Sequence, residues 1–160
     1  MIKTLQIIFI CLLSISSAIA NESQDLVVDS VNQDLNYKDK TLYFSGNVVV
    51  TQGNITIKAE ELFVETNEEG DSEKLIAKGS PAIFSQQGNE NEMVSSQAFT
   101  ITYLVEKRVL TLSGEAEFQQ GGAKVSSESI VFDLIAQRVK AKGNENDNGR
   151  VTTRLKTKQN

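Results

Sequence analysis

Carboxylates are the side chains grouped closely enough here to suggest acid–base or metal chemistry, and their spacing argues against both. Glu60-Glu61 would lie on a strand, where neighbours point to opposite faces and cannot act as an acid/base pair. Glu68-Glu69-Gly70-Asp71 lacks the alternating ligands and the terminal bidentate Glu of a calcium loop, and reads as a solvated turn. There is no His and no Trp, and the single Cys is Cys11. Zinc sites and histidine-based catalysis are thereby excluded. No metal and no cofactor is expected. The chain is not expected to be an enzyme, since even a carboxylate-only glycosidase would find no paired carboxylates to use.

The elements that must position any site begin after a leader. Met1-Ile2-Lys3 is followed by Leu5–Ile15, apolar but for Gln6 and Ser14, and by the small-x-small exit Ala18-Ile19-Ala20. This predicts a secretory signal peptide over residues 1–20, cleaved after Ala20. The alternative is an uncleaved anchor, but Leu5–Ala20 is 16 residues, short of the ~20 that span a bilayer. Cleavage removes Cys11, so the mature chain has no disulfide, thiol nucleophile or thiolate site. Bulky Phe9 and Ile10 before Cys11 also exclude a lipoprotein acceptor. Residues 21–160 fit one domain that can bury roughly two-thirds of its unfolded surface. Secretion without disulfides points to a bacterial envelope compartment.

The mature chain carries 15 basic and 21 acidic side chains, a net of −6, which argues against nucleic acid as a partner. Residues 21–137 carry 8 basic and 19 acidic side chains, whereas residues 138–160 carry 7 basic and 2 acidic. Two readings remain open: a solubilising basic tail, or a pair of opposite docking ends that steer head-to-tail association.

The chain repeats itself. Leu42-Tyr-Phe-Ser-Gly46 reappears 68 residues on as Leu110-Thr-Leu-Ser-Gly114, and the match holds register for 23 residues, through Gln52-Gly53/Gln120-Gly121 and Leu62/Ile130. A half-period lies inside it: an apolar residue stands four before Gly at Leu42/Gly46, Leu75/Gly79, Leu110/Gly114 and Val139/Gly143. A small residue with inward candidates at +3 and +5 interleaves: Ala59 (Leu62, Val64), Ser96 (Phe99, Ile101), Ser127 (Ile130, Phe132) and, more weakly, Ser30 (Gln33, Leu35). The result is four layers of about 30 residues.

Within each layer the period is two. Leu42, Phe44, Val48 and Val50 share one face, as do Leu110, Leu112, Ala116 and Phe118, which predicts half-buried β-strands. Turn clusters separate them at Gly53-Asn54, 67–72, 86–92, Gly121-Gly122 and 144–149. Pro81 is expected at a strand start or an edge. A Gly recurring once per layer marks a bend at the same place in each. The expected fold is all-β: one antiparallel sheet, rolled or V-shaped, open at both ends. A closed sandwich with incidental glycines is the alternative.

The run from Leu42 to Gly53, followed by Ile55-Thr-Ile57-Lys-Ala59-Glu60, resembles the OstA-like family of periplasmic lipopolysaccharide-transport proteins. Gly79–Phe84, Leu112–Ala116 and Arg150–Thr153 look like later segments of the same family, so the resemblance spans residues 26–155. It implies a β-jellyroll of about sixteen strands over residues 21–160, ending in a flexible basic tail. It implies a bridge without enzymatic activity, joined end to end with copies of itself. The bridge would run from an inner-membrane export complex, at the N-terminal end, to an outer-membrane translocon at the C-terminal end. Its interior would hold the acyl chains of lipid A, which are costly to expose at ~0.8 kcal/mol per CH₂.

By position in these motifs, the groove candidates are Leu26, Val28, Phe44, Val50, Ile57, Phe84, Ile101, Leu112, Phe118 and Phe132. For each, ordinary core packing is the alternative, and beside Phe84, Ile83 competes as the inward residue. Leu26 and Val28 have a second possible role on an edge strand that meets a partner. Two further readings stand beside this one: a membrane-anchored member of the same family, and a secreted structural or adhesive β-fibre without cargo.

Overall fold

A computed structural model describes residues 24–69, 71–88, 93–145 and 149–157. The leader at residues 1–20 lies outside the described residues. The described chain forms ten strands: β1 (Val27–Asp29), β2 (Asn32–Asn36), β3 (Thr41–Gln52), β4 (Ile55–Thr66), β5 (Ser72–Gln87), β6 (Met93–Leu104), β7 (Val109–Gln120), β8 (Ala123–Asp133), β9 (Arg138–Lys142) and β10 (Thr152–Leu155). They make one antiparallel sheet in the order β1-β3-β4-β5-β6-β7-β8-β10, with β2 also on β3 and β9 also on β8. From β3 to β8 each strand pairs with the next along the chain, joined by short connections.

Each of the long strands has a break in pairing near its middle, and β4–β5 has a second register shift at Glu65/Thr66, by the tip. Breaks fall at Ser45/Val48, Lys58/Glu61, Lys78/Ala82, Gln97/Thr100 and Ser113/Ala116, and on β8 between Ser127 and Ser129. The gaps between β1 and β2 and between β9 and β10 continue the same line. It divides the sheet into two leaves. One leaf, here leaf I, holds β2, β9 and the segments ending at the tips near residues 40, 66, 106 and 134. The other, leaf II, holds β1, β10 and the segments ending near residues 53, 87 and 121.

The leaves close on each other along this crease. Phe132 pairs with Leu110, which lies eight residues along β7 from Phe118. In an unbent strand that separation is roughly 26 Å, yet the Phe118 and Phe132 rings stand 4.9 Å apart. The strand must fold over between them.

Glycine makes the fold possible in β3 and β7. Gly46 and Gly114 have φ of +80° and +79°, and each is followed by a residue at φ +48°, Asn47 and Glu115. A side chain there would be strained. It would also collide, because a Cβ on Gly46 would lie 2.9 Å from Val31 Cβ, and one on Gly114 2.9 Å from Phe99 Cδ2. In β5 the crease carries Gly79 and a cis Ser80–Pro81 bond.

Three expectations are corrected here. The strand count is ten among the described residues, not about sixteen, because six strands run through the crease and are each continuous, though bent. Pro81 is neither at a strand start nor at an edge. It sits in the middle of β5, inside the unpaired gap between Lys78 and Ala82, where a missing N–H costs no ladder bond. Phe99 is not inward: it is 46% exposed, while Ala98 and Ile101 are buried. The pleat of β6 slips by one residue after Ala98, so the +3 step from Ser96 lands on the outer face while the +5 step, to Ile101, lands on the inner one. Gln33 and Leu35 are likewise exposed, because β2 is a free edge.

We expect Gly114→Ala to lower stability by about 2 kcal/mol or more, combining left-handed strain with displacement of Phe99. Gly121→Ala, at φ +55° with nothing within 4 Å of the added Cβ, should cost only the strain, about 1 kcal/mol. Urea midpoints of the two variants check the difference.

Candidate apolar groove

The inner face is laid out in rows that cross the sheet. On leaf II one row runs Val28–Val50–Ile57–Phe84–Ser96–Phe118–Val125, each residue paired with the next. On leaf I the facing row runs Phe44–Leu62–Ala77–Ile101–Leu112–Ile130–Ala141. A second leaf I row, nearer the tips, runs Leu42–Val64–Leu75–Tyr103–Leu110–Phe132–Val139.

All ten groove candidates belong to this interior. Phe44, Val50, Ile57, Phe84, Ile101, Leu112, Phe118 and Phe132 are buried, and Leu26 and Val28 are partly buried against the same cluster. Ile83 is 37% exposed and Phe84 fully buried, so Phe84 is the inward member of that pair. The apolar rows reach both edges: Leu26, Val28 and Leu42 at one end, Val125, Val139 and Ala141 at the other, all partly buried. Between the ends the leaves are in contact, with Leu62, Leu75, Phe84, Ile101, Leu110, Leu112, Ile130 and Phe132 at 0% exposure. Anything entering must part them.

Two polar groups lie inside that were not expected there from sequence, where Ser96 figured only as a layer marker. Ser96 is 2% exposed and its hydroxyl has no hydrogen-bond partner. Tyr103 is 1% exposed, and its hydroxyl donates across the mouth from leaf I to Gln52 Oε1 on leaf II, a long bond of 3.5 Å. Burial holds the Tyr103 phenol above its ordinary 10.0, against a smaller opposing effect of Arg108. The signal that finds Tyr103 is simple alternation from Ile101; nothing local marks Ser96 as inward. The carboxylates lie elsewhere. Glu61 accepts the Tyr43 hydroxyl at 2.8 Å away from the interior, and among the described residues no three possible ligands cluster for a metal.

The two edges are open and unlike. β1 and β2 pair only with β3, and β9 and β10 only with β8. Asp25, Asp29 and Asp34 are exposed at the first edge; Arg138, Lys140, Lys142 and Arg154 are exposed at the second. The basic end of the chain is therefore largely held in two strands, β9 and β10.

A single creased sheet with an apolar interior and two unpaired edges defines an open β-jellyroll. Residues 27–138 match the LptA/(LptD N-terminal domain) LPS transport protein family, and the chain belongs to it. It is 35% identical over 148 residues to the lipopolysaccharide export system protein LptA of Haemophilus influenzae, covering 89% of this chain and 85% of that protein. It is 31% identical over 134 residues to LptA of Escherichia coli K12, covering 82% and 71%. Its fold matches the crystal structure of LptH from Pseudomonas aeruginosa, the LptA homologous periplasmic component of a lipopolysaccharide transport device. The TM-score is 0.77 at 23% identity, over 84% of this chain and 96% of that one.

Phe84→Ala should cost about 3–5 kcal/mol through the cavity it leaves, whereas Ile83→Ala, on the outer face, should cost much less; thermal denaturation compares them. The raised Tyr103 value stabilises the fold fully below about pH 10, where both states are neutral. That stability is lost as pH climbs through the higher folded value, because the unfolded chain ionises first. Tyr103→Phe should flatten this alkaline decline in a stability–pH profile.

Proposed function

We propose that this chain is a periplasmic carrier of lipopolysaccharide that acts by binding alone. The observation that carries the reading is the inner face: apolar rows run across the sheet toward both open edges, with Ser96 the polar position in the first leaf II row. Acyl chains seated between the leaves would be shielded from water while a sugar head stayed outside. The lipid-contacting residues would be Leu26, Val28, Phe44, Val50, Ile57, Phe84, Ile101, Leu112, Phe118 and Phe132. Membership of the export family and the names of its relatives support the same cargo, and a leader at residues 1–20, cleaved after Ala20, would fit the compartment.

Copies would join head to tail. Each end offers free backbone N–H and C=O groups for strand addition, and the acidic β1–β2 edge faces a basic β9–β10 edge in that arrangement. The N-terminal end would then meet the inner-membrane export complex and the C-terminal end the outer-membrane translocon. The internal duplication finds support in the backbone: left-handed residues recur 68 apart at Lys40/Arg108, Gly46/Gly114, Asn47/Glu115 and Gly53/Gly121.

The filled interior favours a second reading, a structural β-fibre whose core never opens. Saturable binding of purified residues 21–160 to lipopolysaccharide separates the two. Competition by free lipid A, but not by the delipidated core sugar, is expected for a carrier. Absence of binding, or competition by the sugar alone, would leave the fibre. For the head-to-tail joint, raising salt to about 0.5 M should weaken association of protomers. Unchanged association would remove the charge pairing.

A further inference from the structure

Leaf II has a second inner row, at the mouth of the groove, and it alternates in character. It runs Gln52–Ile55–Gln86–Val94–Gln120–Ala123 through paired positions on successive strands. Gln52, Gln86 and Gln120 stand 34 residues apart in sequence and on every second strand, which spaces them about 9.6 Å apart along the groove. All three are half-buried. The facing leaf I row offers them little: Tyr103 is its polar member, and its hydroxyl donates to Gln52 Oε1 at 3.5 Å. Gln52 also donates its Nε2 to the Gln24 carbonyl at 3.4 Å, two long bonds that a better acceptor and donor could replace. One row deeper, between Phe84 and Phe118, lies the Ser96 hydroxyl, buried and without a partner.

These groups stand in an otherwise apolar wall, where an unpaired hydrogen-bonding group is costly. An amide both donates and accepts, and a hydroxyl does the same. They suit neither a bare hydrocarbon nor a phosphate. They suit the carbonyl and hydroxyl oxygens that lie where acyl chains join a sugar. We propose that Gln52, Gln86, Gln120 and Ser96 form a polar line in the groove that binds the ester, amide and hydroxyl oxygens of an acylated sugar lipid. The glutamines would hold the linkages at the mouth and Ser96 an oxygen further along a chain. The line offers equivalent stations along the direction of travel and selects lipids with oxygen-bearing linkages over plain alkyl chains. This rests on the carrier reading above.

The test compares two probes on the mature protein, residues 21–160: lipid A, and dodecyldimethylamine oxide, whose alkyl chain carries no ester, amide or hydroxyl. Three variants are compared with the parent: Gln52→Ala/Gln86→Ala/Gln120→Ala, Ser96→Ala and Ile83→Ala as an outer-face control. Circular dichroism and urea midpoints establish that each is folded. Ser96→Ala should be at least as stable as the parent, since it deletes an unpartnered hydroxyl. We expect lipid A affinity to fall about two- to tenfold for each group removed, with binding of the amine oxide and the Ile83→Ala control unchanged. Unchanged lipid A affinity in both groove variants would overturn the polar line and leave the carrier reading standing. An equal loss for both probes would also overturn it, as an effect on the groove in general. If the parent protein binds neither probe, the carrier reading falls and takes this inference with it.

Discussion

A sheet with one apolar face must cover that face, and this chain supplies no helix or second sheet among its described residues to do so. The sheet therefore packs against itself. Nearly every local feature serves that requirement. The breaks in pairing line up across six strands because a sheet can fold only along a line common to all of them. Gly46 and Gly114 sit on that line because the sharpest turns need φ values that a side chain resists. The cis Ser80–Pro81 bond lies there too, in the central gap of β5, where there is no ladder to interrupt.

The same requirement makes the ends different from the middle. A folded sheet closes along its crease but not across its edges, so the first and last strands keep free backbone groups and half-covered apolar side chains. In an ordinary domain those edges would be a hazard. Here they carry opposite charge, which suits contact with an unlike edge and discourages pairing of like ones. The interior has a comparable double character. The side chains that hold the leaves together are the ones a lipid would have to touch, so binding would replace leaf-to-leaf contact with leaf-to-chain contact of similar chemistry.

Much of this was legible in the residues. The alternation of Leu42, Phe44, Val48 and Val50 and its echo at Leu110–Phe118 located strands and inner face, and the spacing of the glycines located the crease. The ten groove candidates fall on the interior because strand alternation is a local property. What was not legible lives between strands. Alternation from Ser96 carries Ala98 inward and Phe99 outward, and a one-residue slip then brings Ile101 inward; no count along β6 alone reveals that slip. Pro81 was misplaced for the same reason, since the gap that accommodates it is defined by its neighbours on β4 and β6. The solitary position of the Ser96 hydroxyl depends on Phe84 and Phe118, which are distant in sequence and adjacent only once three strands pair.

The plain order of the strands has a consequence for size. Each leaf holds eight segments side by side, so the interior extends about 34 Å from edge to edge, seven intervals of roughly 4.8 Å. Because each of β3 to β8 pairs with its neighbours in the chain, one more hairpin would lengthen the interior by about 9.6 Å and leave its cross-section as it was. The fold behaves as a ruler. The distance one molecule covers is written in its number of strands, and its bore is written separately, in the side chains that line it.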